Sequence, residues 1–393
     1  MKKVLVRVMV LTLVIMALHA VSAAQASVSF SDPAAMAQEF GITPLELVDD
    51  PAIFKLTDSI GPNGEKGVGI TELLKIFQPG DKEKIQTMNL TGAICMHTSA
   101  SDFATQQIEG IRSVYDAFGI RLVAQTDGEF KVEKTVSDFE STLALKPDIM
   151  VHYVLDVNAS LPLLQKAAEQ GCIVALMDSI PEGISPDHFA GAAMADNYAN
   201  GYYGAKYLAE AMGGKGQVAM ISFIQDLFHT NQRSIGARDA FAEYPNIEIV
   251  EEQKHDGTTE NNAAIADSFV IKYPDLKGIW TVWDMPGMAA AGIVENAGKQ
   301  DQIKIASVDL AKDIGMNIAS GGSVICLGAQ HPFDQGVAEA LLAIAKKLGY
   351  DTPKYVMVPG ELITKGTYES FSAGWERVDH HPLPDEFKEV YGK

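Results

Sequence analysis

The chain has 393 residues, of which 31 are basic and 51 acidic, giving a net charge of −20 at neutral pH. An acid excess of that size opposes binding to nucleic acid or to an anionic membrane surface. The length exceeds one ordinary domain and predicts two lobes.

Lys2, Lys3 and Arg7 make a positive start, followed by the apolar run VMVLTLVIMAL over residues 8–18. That run is too short to span a bilayer and is flanked as a signal peptide is. The small-residue stretch AQA ends at Ala26. The pattern predicts a signal peptide over residues 1–26 and an exported, periplasmic product.

Residues 27–88 are punctuated by Pro33, Pro44, Pro51, Pro62 and Pro79. Two short amphipathic helices are expected there: DPAAMAQEF, capped by Asp32 with Pro33 in the first turn, and ITELLKIF, capped by Thr71. The segment reads as a mostly helical N-terminal extension to which no chemistry attaches.

From Leu90 onward strands alternate with helices. LTGAICMH, IRLVAQT, DIMVHYV and IVALMD are strands separated by helical stretches, and the theme restarts after residue 192. Residues 193–214 read as one helix, followed by the strands GQVAMISF, IEIVEEQ, GIWTVW and IKIASVDL with helices between them. This order predicts βαβ units and parallel sheets in two similar sets. Cys95, Cys172 and Cys326 each sit inside an apolar run, and an odd count cannot pair fully, so three buried free thiols are expected.

Three continuous apolar runs end on a polar residue: CIVALMDS at Asp178, IKIASVDL at Asp309 and SVICLGAQ at Gln330. Such runs suit strands buried on both faces, and ligands of open α/β sheets bind beyond the carboxyl ends of the strands. Two carboxylates and an amide facing one crevice suit a neutral, hydroxyl-rich ligand. Arg233, near the start of the helix after AMISF, adds a rigid five-donor fork. Trp283 and Asp284 follow GIWTV, and Phe103 follows the first strand; their aromatic faces suit the C–H face of a sugar. His97 also follows the first strand, whereas Arg238 reads as a surface residue. The adjacent His380 and His381 lack metal-pair spacing, and GGKG at 213–216 reads as a helix stop. Neither a nucleophile elbow nor a dinucleotide G-x-G-x-x-G accompanies the strands.

From about Leu90 to Tyr368 the chain resembles the ribose/galactose-type (type I) periplasmic sugar-binding proteins of ABC transporters. The markers are PDIMVHYV, AAEQGCIVALMDS, AMADNYANGYYGAKYLAEAM, RSIGARDAF, YPDLKGIWTVWD, IASVDL and LGAQHPFDQGVAEALL, in that order. The resemblance places sugar contacts on Asp178, Asn197, Arg233, Asp309 and Gln330. It departs in the first loop, where SASDFA offers Ser101 and Phe103, at Tyr153, and at Trp283, with Asp284 kept. It implies two doubly wound parallel-sheet α/β lobes joined by a three-segment hinge near Ala195, Gln330 and Pro359. Lobe one would hold 89–195 and 331–358, and lobe two 196–330 and 359–393. It further implies a monomer that passes a sugar or polyol to a membrane permease, with no enzymatic activity, cofactor or metal. Two alternatives stand beside it: an exported sugar-modifying enzyme using Asp178 and Asp309, and a sugar sensor feeding a signalling receptor.

Overall fold

A computed structural model describes residues 31–393; the expected signal peptide lies outside them. In chain order, β1 (Gly67–Gly69), β2 (Thr91–Met96), β3 (Arg121–Asp127), β4 (Ile149–Tyr153), β5 (Ile173–Met177) and β6 (Ala192–Ala195) join one sheet. The chain then forms β7 (Lys215–Phe223), β8 (Asn246–His255), β9 (Leu276–Thr281), β10 (Lys304–Val308) and β11 (Val324–Ala329) of a second sheet. It returns to the first for β12 (Tyr355–Val358) and to the second for β13 (Glu361–Thr364). The chain therefore crosses between sheets at residues 196, 330 and 359–360.

The first sheet runs β1-β12-β6-β5-β4-β2-β3, and every neighbouring pair is parallel. The second runs β13-β11-β10-β9-β7-β8, with only the edge strand β13 antiparallel. Each sheet has an apolar cluster on both faces, which is why its central strands read as unbroken apolar runs.

The helices are α1 (Pro33–Phe40), α2 (Ile70–Leu74), α3 (Asp81–Met88), α4 (Asp102–Ala117), α5 (Val132–Ala144), α6 (Val157–Glu169) and α7 (Asn197–Ala211). After them come α8 (Phe228–Ala242), α9 (Thr259–Lys272), α10 (Asp284–Asn296), α11 (Lys312–Ser320), α12 (Pro332–Lys347), α13 (Tyr368–Asp379) and α14 (Glu386–Val390). Asp32 caps α1 as the sequence predicts, accepting from Ala34 N–H, with Pro33 in the first turn. Thr71 does not cap α2: the helix begins at Ile70, and Thr71 N–H donates to the Glu46 carboxylate instead. The stretch expected as one helix over 193–214 opens with β6 and turns helical only at Asn197. Its alanines favour a helix locally. Ladders to β12 and β5 on either side override that preference.

Residues 31–88 are woven into lobe one. Met36, Phe40, Leu73, Leu74, Phe77 and Ile85 are buried in the same apolar cluster as Ile111, Val114 and Leu341. The Phe40 ring meets Phe77 and Phe118 edge-on at 5.0 and 4.9 Å. β1 extends the sheet beyond β12. All three cysteines are free and buried.

Two helix pairs set the positions of the polar residues described below. In lobe two, a Cβ at Gly201 of α7 would lie 1.9 Å from Arg233 O, and one at Gly236 of α8 would lie 2.2 Å from Tyr198 O. Only glycine permits that approach, which lets α7 reach Arg233 with its first residue. Lobe one repeats the device: a Cβ at Gly110 of α4 would meet Phe333 O at 2.0 Å, and one at Gly336 of α12 would meet Gln107 O at 2.2 Å.

Candidate functional site: the interlobe cleft

Asp178 and Asp309 each follow the last residue of a strand, and both adopt positive φ, 53° and 70°. The left-handed region costs an ordinary L-residue roughly 1–2 kcal/mol, and Asp tolerates it better than most. Asp178 N–H still donates to Ala193 O at 3.1 Å, so the ladder continues up to the turn.

Arg233 is buried in the lobe-two wall. Its Nε donates to Asn197 Oδ1 (2.8 Å), and its Nη1 donates to Val282 O (3.1 Å) and Asp309 Oδ2 (3.3 Å). Gln330 Nε2 donates to Asp309 Oδ1 at 2.6 Å. Asp309 is thus held on both oxygens, which offsets the cost of burying the guanidinium beside it. Asn197 Nδ2 donates to Ala195 O (2.9 Å), so each end of that amide is oriented by the protein. Asn197 and Gln330 each keep one further N–H and one lone pair.

Behind these groups lies a buried relay absent from the sequence reading. Gln335 Nε2 donates to Gln330 Oε1 (2.9 Å), and Gln107 Nε2 lies 3.3 Å from Gln335 Oε1 and 3.2 Å from Glu339 Oε1. Gln107, Gln335 and Glu339 have no solvent exposure. Burial, reinforced by the Asp178 charge, pushes the Glu339 carboxyl well above the carboxylate range. The relay links the lobe-one helices α4 and α12 to the lobe-two carboxylate Asp309.

Asp178 Oδ1 is buried and has no hydrogen-bond partner among the described residues, and the same holds for Gln107 Oε1 and Glu339 Oε2 of the relay. Burial raises its pKa from 3.8 to about 7; Arg233 opposes that rise and Asp309 adds to it. Asp284, the first residue of α10, is also raised to about 7, by burial and then by Asp309. His229 Nδ1 lies 3.1 Å from Asp178 O, a contact directly between the lobes. Burial and then Arg233 lower the His229 pKa to about 3, so the ring is neutral and Nδ1 carries the donated proton.

Aromatic rings flank these groups from both lobes. Tyr153 stacks on His97 at 3.7 Å, and Phe103 and Phe130 meet that imidazole edge-on at 6.4 and 4.7 Å. In lobe two, Trp283 meets Phe223 at 4.8 Å and His255 at 4.6 Å, both edge-on. Burial lowers His97 to about 3 and His255 to about 4, so both rings are neutral near pH 7. Ser101 Oγ caps α4, accepting from Ala104 N–H at 3.2 Å, and keeps its O–H as a donor. Arg238 pairs with both carboxylate oxygens of Glu252 at the surface.

His229, His255, Phe223, Phe130 and the relay glutamines escape the sequence reading. His229 alone carries a signal, since it sits four residues before Arg233 on the same helix face. A separate cavity of about 310 Å³, lined by Tyr207, Lys304, Val324 and Thr364, lies at the opposite end of the lobe-two strands.

Two parallel-sheet lobes, three crossings and converging polar groups at the strand ends define a hinged binding protein. The chain belongs to the family described as Periplasmic binding protein domain, which matches residues 92–350. The D-ribose/D-allose-binding protein of Pseudomonas aeruginosa is 23% identical over 293 residues, covering 69% of this chain and 88% of that protein. The D-allose-binding periplasmic protein of Escherichia coli is 24% identical, covering 70% and 91%. Among solved structures, an Actinobacillus succinogenes ABC-transporter solute-binding protein with bound D-allose aligns with a TM-score of 0.64 and 26% identity, covering 70% of this chain and 98% of that one. An Agrobacterium vitis counterpart bound to α-D-tagatopyranose gives 0.65 and 25%, covering 70% and 95%.

Proposed function

We propose that this protein is an exported solute-binding protein that captures a sugar or polyol between its lobes and delivers it to an ABC-transporter permease. The carrying observation is the bipartite polar set: Asp178, with an unpartnered buried oxygen, faces the Arg233–Asp309–Gln330–Asn197 network of the other lobe. A carboxylate accepts hydroxyl hydrogen bonds, a guanidinium donates them, and the flanking rings cover C–H faces. The bound D-allose and tagatopyranose named for related structures support that ligand class. Ser101, Phe103, Tyr153, Trp283 and Asp284 complete the proposed contact set. The protein acts as a monomer, in the periplasm, by binding rather than by chemistry.

A thermal-shift screen across aldoses, ketoses and polyols identifies the ligand, because one at 100 times its dissociation constant stabilises the fold by ~2.7 kcal/mol. Arg233→Ala is then expected to weaken binding by about 100-fold in calorimetry, the usual cost of truncating one partner of a buried charge pair. Unchanged affinity in that variant removes Arg233 from the site; no stabilisation by any sugar or polyol removes the reading itself.

A further inference from the structure

The family match begins at residue 92, yet residues 50–57 sit on the hinge. This stretch leaves the lobe-one core after the buried Leu45. Asp50 pairs with Arg377 of α13, in lobe two, at 3.1 Å, and the same guanidinium holds the buried Glu361 through Nε at 2.7 Å. Ile53 forms an antiparallel bridge with Glu361. Phe54 N–H donates to Gly360 O (2.8 Å) and Leu362 N–H donates to Ala52 O (2.9 Å). Residues 52–54 thus pair with β13 through a single antiparallel bridge, directly after the third crossing. The Phe54 ring stacks on Tyr203 of α7 at 4.4 Å.

Two residues later the chain is back on lobe one, where Leu56 packs against the core. Thr57 then reaches the first crossing. Its N–H and Oγ1 both donate to Asp196, at 2.6 and 3.0 Å. Asp196 is fully buried and its Oδ1 also caps α7 by accepting from Ala199 N–H. The next residue, Asn197, holds Arg233.

We propose that residues 50–57 are a positioning splint for the binding site. They fix two of the three crossings, hold the lobes near the angle at which the cleft binds, and set the Asn197–Arg233 arm before ligand arrives. The inference rests on the cleft being the sugar site. The splint itself touches no ligand. Its effect is on the fraction of ligand-free molecules already competent to bind, which scales the apparent affinity directly.

The test compares Thr57→Val, Thr57→Ser and the double variant Phe54→Ala/Thr57→Val. It reads ligand-free and sugar-saturated X-ray scattering, and affinity for whichever sugar stabilises the wild type. Thr57→Ser keeps the hydroxyl and should match the wild type. The double variant should show a larger ligand-free radius of gyration, wild-type scattering when saturated, and affinity weaker by about tenfold, as a fall in the competent fraction requires. Thr57→Val, the milder change, should move in the same direction and remains readable if the double variant does not fold. A lowered melting temperature with unchanged ligand-free scattering and unchanged affinity overturns the proposal. A wild type that binds no sugar sinks the ligand reading, while the ligand-free scattering still judges the splint.

Discussion

Asp178 holds the clearest pH handle. Its pKa rises from 3.8 to about 7 on folding. Between those values the native state keeps a proton that the unfolded chain has released, so this carboxyl lowers stability as pH rises through the window. The buried imidazoles act in the opposite sense: His97 and His229 fall from 6.5 to about 3, so stability is regained as pH climbs through that range. A hydroxyl-rich ligand donates to the ionised carboxylate and favours it. Sugar capture near neutral pH is therefore expected to release a proton, with affinity strengthening as pH rises through about 7. Calorimetry in buffers of different ionisation enthalpy measures this; Asp178→Asn should reduce the release to what Asp284, also raised to about 7, contributes, and a wild type that releases none shows that Asp178 binds in an unchanged protonation state. Asp178 and Asp309 were legible because a polar residue ending an apolar run stands out. Gln107, Gln335 and Glu339 were not, because a polar residue inside an amphipathic helix looks solvated until the facing helix is known. Trp283 and His97 stand out because each follows a strand, and Tyr153 enters only through the family resemblance, whereas His255, which packs on Trp283, carries no such mark.

At the scale of elements, the alternation of strand and helix is readable because each central strand is buried on both faces and most helices on one, α12 being buried all round. β6 hides within an alanine-rich stretch whose local preference is helical, and only its two parallel neighbours make it a strand. The N-terminal helices are visible from their periodicity, but their destination is not, since Phe40 and Phe77 find partners at Phe118 and Tyr350, far along the chain. Phe77 is wholly buried in the lobe-one cluster. Phe77→Ala is accordingly expected to destabilise lobe one by about 3–5 kcal/mol, the usual cost of emptying an aromatic site in a core. Denaturant melts monitored by circular dichroism check this. A loss below about 1 kcal/mol, ordinary for surface substitutions, would mean that residues 31–88 pack as a detachable appendage.

Across the whole molecule, lobe-to-lobe contacts gather around the cleft and hinge: His229 on Asp178, Gln106 on Asp379 at 2.6 Å, and the His380 ring stacked on Phe333 at 3.9 Å. A hinge opening that exposes the cleft would have to break the His229–Asp178 contact, so the molecule is expected to change shape as two bodies. The native thiols lie away from that movement. Cys95, Cys172 and Cys326 are buried in the lobe interiors, where burial pushes Cys95 up to about 11 and Cys172 up to about 12. A thiol that is neither ionised nor exposed does not alkylate. The folded protein is therefore expected to resist maleimides, as a labelling assay of the native state would show, and a cysteine introduced at Ile224, a 58% exposed position just past β7, would be its reactive handle. An environment-sensitive fluorophore attached through Ile224→Cys should then turn the protein into an optical gauge of free sugar, its emission tracking lobe motion without interference from the three internal sulfurs.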